Sequence, residues 1–187
     1  MNLKVFKTKV YALIEELNPN SPWLTDDTDL RAKVNEVINQ VMFEMIRYKK
    51  IPKYVEMEVS KGQLVDFNDL ESACGYEVYQ RGNVGGVEYE SKADGTILKF
   101  LEDGVAEVDL YVYPERITDK TKDTAYEFEV SPDILEVMVY GVAADLLLAD
   151  ESAAYGKAYS NRYNELKQML DTRYQTDTIT IVGGFSV

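Results

Sequence analysis

Residues 131–173 read SPDILEVMVYGVAADLLLADESAAYGKAYSNRYNELKQMLDTR, the pattern of two helices joined by a short acidic turn. Ser131 suits an N-cap, Pro132 the first helical position and Asp133 the positive end of the helix dipole. Behind them Ile134, Leu135, Val137, Met138, Val139, Val142, Leu146, Leu147 and Leu148 make the segment to Ala149 apolar nearly all round. Glu136 and Asp145 interrupt it. Nine residues of α-helix, at about 100° each, set these two on opposite sides, so neither marks a solvent face. A helix of this kind is buried by its own chain, by a membrane or by partner chains. The run is shorter than the roughly 20 residues a membrane span needs, and two carboxylates break it. The pattern therefore predicts the central helix of a bundle.

Asp150-Glu151-Ser152 is the turn. The segment Ala153 to Arg173 is a cleaner amphipath, with Tyr155, Ala158, Tyr159, Tyr163, Leu166, Met169 and Leu170 at three- and four-residue steps. Tyr155, Tyr159 and Tyr163 form a ladder at i, i+4. It reads as core packing with hydroxyls at the edge, or as a subunit interface, where tyrosine is enriched.

Composition narrows the function classes. The chain has 187 residues, 14 tyrosines, one cysteine (Cys74), no histidine and a formal net charge of −13. One cysteine excludes an internal disulfide. The absence of histidine removes Ser-His and Cys-His catalysis and histidine-ligated metals. An acidic surface repels nucleic acid and does not grip it. Residues 1–7 lack the continuous apolar stretch of a signal peptide.

Outward from the hairpin, the order is helix, helix, sheet, helix, helix, tail. Leu3 to Leu17 carries an apolar stripe of Phe6, Val10, Leu13, Ile14 and Leu17 and stops at Asn18-Pro19. Trp23-Leu24 is expected to dock the following connection on the core. Asp27-Thr28-Asp29 opens a second helix, which ends at Arg47, Lys49 and Lys50, cations suited to its C-terminus. From Tyr54 the period becomes two. Leu64 to Leu70 reads as a short irregular link with room for one helical turn. Tyr76–Gln80, Val87–Ser91, Thr96–Leu101 and Val105–Tyr113 follow as strands of one antiparallel meander. Gly82 to Gly86, Asp94-Gly95 and Asp103-Gly104 separate them. The expected fold class is α+β: a four-helix bundle-like core with an antiparallel β lobe inserted between its second and third helices, and an extended C-terminal tail. The expected divisions are 1–53, 54–130, 131–173 and 174–187.

Candidate chemistry is sparse. Asp27-Thr28-Asp29 is a D-x-D pattern, but an EF-hand starting there would need an acid at its twelfth position, where Ile38 stands. A helix N-terminus explains these acids. Asp150-Glu151 suits the start of the second hairpin helix. Asp145 is expected to pair with a cation of the bundle or of a neighbouring subunit. Arg47, Lys49, Lys50 and Lys53 form the dense basic cluster, read as helix C-capping, with DNA or an acidic partner surface as the alternative. Gly82 to Gly86 lacks the lysine of a phosphate-binding loop. In the tail, Thr178-Ile179-Thr180-Ile181-Val182 is β-prone, and Gly183-Gly184 precedes Phe185. It reads either as an assembly arm or as an edge strand of the chain's own β lobe.

The layout and the last helix pair resemble the head–tail connector, or neck adaptor, proteins of tailed bacteriophages. The matching residues are Tyr111-Val112-Tyr113-Pro114, Ser131-Pro132-Asp133-Ile134-Leu135, Ala144 to Glu151, and Tyr155, Tyr159, Tyr163 and Leu166. The resemblance implies a non-enzymatic virion protein without cofactor, metal or catalytic residues. It implies a homo-oligomeric ring, twelve-fold in that family, at the head–tail junction, assembled in the host cytoplasm. The partners it implies are a portal protein and a tail or stopper protein, with DNA passing unbound and no membrane. The candidate interface residues are Tyr155, Tyr159, Tyr163, Ile179, Ile181 and Phe185. The alternatives are a tail-completion or tail-tube gatekeeper protein and, from another class, a small carboxylate-dependent hydrolase of the glycosidase or lysin type.

Overall fold

The computed structural model describes residues 1–48, 50–148 and 153–175. Among the described residues the chain is mixed α/β, with five α-helices and two three-stranded antiparallel sheets. It divides into two compact units, one made of Met1–Tyr48 with Ile117–Val187, the other of Lys49–Arg116.

The first unit contains α1 (Leu3–Leu13), α2 (Thr28–Met45), α4 (Pro132–Leu148) and α5 (Ala153–Gln175). α4 is its axis and touches α1, α2 and α5. Ile134, Leu135, Val137, Met138, Val139, Val142, Ala143, Ala144 and Leu146 are all buried, as an all-round apolar helix requires. The two acids beyond its first turn find solvent: Glu136 pairs with Lys9 of α1, and Asp145 is exposed. The Ser131 carbonyl accepts the Leu135 N–H at 3.0 Å, but the Ser131 hydroxyl is buried without a hydrogen-bond partner, so the expected side-chain cap is not made.

α1 stops at Leu13, four residues before its apolar stripe ends. Glu15 adopts φ 64°, its N–H reaches the Ala12 carbonyl at 3.4 Å, and the Glu16 N–H reaches Tyr11 at 2.9 Å. This is a Schellman ending with glutamate where glycine is usual, so no residue type announced it. α2 opens as expected: the Asp27 carboxylate accepts from the N–H of Asp29 (2.8 Å) and Leu30 (3.0 Å). It ends at Met45, so Arg47, Lys50 and Lys53 lie beyond its last turn. The cations lie over aromatic rings within their own units, Arg47 over Tyr48 at 4.8 Å, Lys50 over Tyr111 at 4.5 Å and Lys53 over Tyr76 at 4.1 Å.

The segment 117–130, assigned by sequence to the β lobe, belongs to the helical unit. Ile117, Tyr126, Phe128 and Val130 are buried in its core, with Phe6 and Phe128 ring centroids 5.0 Å apart. The strap is fixed at its start by buried Asn39, which donates to the Ile117 carbonyl (2.8 Å) and accepts the Ile117 N–H (2.9 Å). Further on, the Tyr126 carbonyl accepts the Leu3 N–H at 3.0 Å.

α4 and α5 meet closely at Gly141. A Cβ there would stand 2.8 to 3.1 Å from three atoms of the Tyr163 ring. Gly141→Val is therefore expected to cost about 2 kcal/mol through overpacking, roughly 4–8 °C in melting temperature. An unchanged melting curve would show that the two helices can separate there without loss.

The second unit has β1 (Ile51–Val59), β2 (Leu64–Val65), α3 (Phe67–Cys74), β3 (Val78–Gly85), β4 (Tyr89–Lys92), β5 (Ile97–Phe100) and β6 (Gly104–Val112). The strands form two sheets, ordered β1-β6-β3 and β2-β5-β4, and not the single meander expected. Asp94-Gly95 does join antiparallel β4 and β5, through a 3₁₀ turn with Asp94 at φ 55° and Gly95 at φ 90°. Asp103-Gly104 makes no hairpin. The Asp103 carboxylate accepts the Lys61 N–H at 2.7 Å and Gly104 pairs with Val59, so the chain passes from one sheet to the other.

The Gly82–Gly86 stretch also departs from its reading as a separator, since β3 runs through Gly85. At Gly86, φ 83°, a Cβ would lie 2.2 Å from the Val105 carbonyl oxygen, so glycine serves close strand approach there. The link expected at 64–70 contains β2 and the start of α3. That helix has a capping box, in which Asp66 accepts from the Asp69 N–H and Asp69 from the Asp66 N–H, both at 3.0 Å. Aspartate stands in the box where Glu or Gln is the usual signal, and Gly75 at φ 76° ends the helix.

Candidate functional site

The tyrosine ladder divides. Tyr163 is buried and its hydroxyl donates to Glu44 of α2 at 2.8 Å. Tyr159 is half-buried and donates to the Leu13 carbonyl at the end of α1, 2.8 Å away. Tyr155 is 69% exposed, and on the same helix Met169 is 66% exposed. Two rungs thus fasten α5 to the unit and one rung faces outward. Ile179, Ile181 and Phe185 lie outside the described residues, as does the Asp150-Glu151 pair.

Glu44 is the polar centre of this seam. It accepts from Tyr163 on one oxygen and from Lys167 (2.5 Å) on the other, while the Lys167 ammonium stands 4.5 Å from the Tyr163 ring centroid. Burial would raise the Glu44 carboxyl, but the hydrogen bonds from Lys167 and Tyr163 outweigh it and hold it below the usual range. Burial, then the hydrogen bond to Glu44, push the Tyr163 phenol far up. Asp145 is raised by partial burial and next by the Glu44 charge, with Lys167 opposing. Among the described residues Asp145 forms no ion pair within its own chain, where Lys167 gives its ammonium to Glu44.

The feature that sequence reasoning missed is a groove of about 680 Å³ in the helical unit, whose lining includes Lys7, Tyr11, Trp23, Arg31, Asn35 and Asp123. Trp23 was expected to dock on the core together with Leu24. Leu24 does so, but Trp23 is 63% exposed. The loop that displays it is tied down tightly. The Asn18 N–H donates to the Leu24 carbonyl (2.7 Å), the Leu24 N–H to Ser21 (3.1 Å) and the Asn18 amide to Asp26 (2.6 Å). Leu24 sits at φ 68°, a left-handed conformation that costs an L residue roughly 1–2 kcal/mol. That strain turns Leu24 inward and leaves Trp23 outside, with the Arg31 guanidinium 5.9 Å from its ring.

In the groove, nearly buried Lys7 holds both oxygens of Asp123, at 2.9 and 3.0 Å. Tyr11 lies beside this pair, its phenol pushed up to about 12 by burial first and then by the Asp123 charge. Asn35 Oδ1 is buried without a hydrogen-bond partner. The one sequence signal for this site is the lone tryptophan next to proline in a polar loop, Pro22-Trp23.

Among the described residues no group of three or more His, Cys, Asp or Glu side chains is placed to hold a metal ion. Among them, too, no helix is long and apolar enough to cross a membrane. Compared with protein-family models and with curated proteins, the chain finds no match.

Proposed function

We propose that this chain is a structural virion protein, a head–tail adaptor of a tailed bacteriophage. It forms a ring beneath the portal, joins capsid to tail and lets DNA pass. On this reading α1, α2, α4 and α5 are a four-helix bundle, and Lys49–Arg116 is the β lobe inserted between α2 and α4. The observation that carries the proposal is the α4–α5 hairpin, the stretch on which the family resemblance rests. Its first helix buries its aliphatic residues between Ile134 and Leu146, and its second presents Tyr155 and Met169 outward. Exposed aromatic and methionine side chains are the residue types enriched at protein interfaces. The formal charge of −13 suits a channel wall that must not hold a polyanion.

The test is the mass of the purified full-length protein with and without a purified portal ring. The expected result is a defined complex with several copies per portal, and no retention of duplex DNA at near-physiological salt. If the protein never joins a portal but caps isolated tail tubes, it is a tail-completion protein. If it joins neither, the adaptor reading is wrong.

A further inference from the structure

The groove of the helical unit gathers three cations and two carboxylates on an acidic chain. It places Lys7, Arg31 and Lys122 against Asp119 and Asp123, within a molecule of formal charge −13. Lys7 and Asp123 satisfy each other. Arg31 makes no ion pair among the described residues and lies over Trp23. Asn35 Oδ1 has no donor. Arg31 thus has no ion-pair partner in the groove and Asn35 Oδ1 no donor, beside an exposed tryptophan. Tryptophan and arginine are the residues most often found at the energetic centre of protein interfaces.

The β lobe carries a face of opposite character. On the exposed side of β1 and β6, Glu56 stands directly opposite Glu107, and Tyr54 opposite Asp109. Glu58 extends the row on β1, and Lys50, over Tyr111, lies towards its far end. Among the described residues Glu56, Glu58, Glu107 and Asp109 form no salt bridge, although like charges directly opposite weaken a sheet. Tyr54 is 54% exposed in their midst, and its hydroxyl donates to Glu56 at 3.2 Å.

We infer that the groove of one copy receives this acidic sheet face of a second copy, with Arg31 and Trp23 docking against Glu56, Glu107, Asp109 and Tyr54. Charge complementarity selects the occupant: a cation without an ion pair and carboxylates without a cation lie on two different surfaces of the same chain. Nucleic acid is the poorer fit, because the net charge of the whole molecule repels it. The contact is heterologous, so each copy uses its groove on one neighbour and its face on the other. Repetition of that contact closes a ring when the rotation allows. The inference rests on the ring reading and names the surfaces that build it.

The test is self-association of the full chain, followed by sedimentation velocity over a concentration series at near-physiological salt. Arg31→Glu and Glu107→Arg are each expected to weaken association about 30-fold or more. Mixing the two variants is expected to restore it: the native groove of Glu107→Arg meets the native face of Arg31→Glu to form a pair, and growth beyond that pair occurs because the two reversed surfaces also meet. Trp23→Ala should weaken it by a similar factor, with melting temperature unchanged for all three variants. Three results would overturn the inference: a wild-type chain monomeric throughout, single variants that associate like wild type, or a mixture that stays dissociated. Variants that still form rings would remove this contact and leave the adaptor reading standing. Groove-dependent association in a protein that ignores portal and tail would do the reverse.

Discussion

Leu146→Asp is expected to unfold the helical unit. Leu146 is 4% exposed on α4, the helix that touches the three other helices of its unit. A carboxylate there would be buried without a cation, and α4 has no basic residue in its last turn. Burial of an unpaired charge is among the few single changes that cost more than about 4 kcal/mol, against a typical total stability of roughly 5–15. The adjacent residue is the control. Asp145 already carries a carboxylate one position earlier, and it is exposed. Asp145→Leu should therefore leave the melting temperature almost unchanged, while Leu146→Asp abolishes the cooperative transition seen by circular dichroism. If Leu146→Asp melts like wild type, α4 is not the axis of the unit.

The second large effect is expected at Asn39. This side chain is 3% exposed and makes a two-way hydrogen bond with the backbone of Ile117. Asn39→Ala leaves a buried N–H and a buried carbonyl without partners. Each such group costs about 1–3 kcal/mol, so a loss of about 3 kcal/mol is expected from the denaturant midpoint. Asn39→Asp gives the mechanism a signature. It keeps the acceptor for the Ile117 N–H, but when ionised it cannot donate to the carbonyl. A carboxyl buried there titrates above its unfolded value, so the folded state binds the proton more tightly. Stability of Asn39→Asp relative to wild type should then fall as pH rises through the carboxylate range, and recover in acid. A pH-independent difference would show that the side chain is not held against Ile117. Loss of hydrogen-exchange protection at the Ile117 amide in Asn39→Ala would locate the effect at the clasp.

Much of the local structure was legible from residue types alone. Asp27 capping α2, the all-round apolar α4, the alternation along β1 and β6 and the Asp94-Gly95 turn are set by neighbours within about four residues, where capping, periodicity and turn rules apply. Where a local motif used an unusual residue, the reading slipped. Glu15 occupies a glycine position at the end of α1, and the box around α3 is built from two aspartates.

The candidate site was mostly illegible. The ladder of Tyr155, Tyr159 and Tyr163 was visible as a pattern. Only the packing decided that Tyr159 and Tyr163 are spent on Leu13 and Glu44 while Tyr155 faces out. Trp23 looked like a core residue, because the left-handed turn at Leu24 that expels it is fixed by hydrogen bonds spanning residues 18–26.

The sequence by itself determined the four long helices and most of the strands, though not β2, α3 or the end of α1, and also that the chain is acidic and has no histidine or internal disulfide chemistry. The tertiary structure decided which strands pair and where the chain re-enters the helical unit. β6 has suitable alternation to pair with β5 across Asp103-Gly104, yet it lies between β1 and β3. A turn signal contributes about as much as one hydrogen bond, whereas the register from Ile51 to Val59 against Gly104 to Val112 engages nine residues on each side. The re-entry at Ile117 was likewise decided by one amide on α2, 78 residues away, because a buried backbone pair must be satisfied wherever the fold provides the partner.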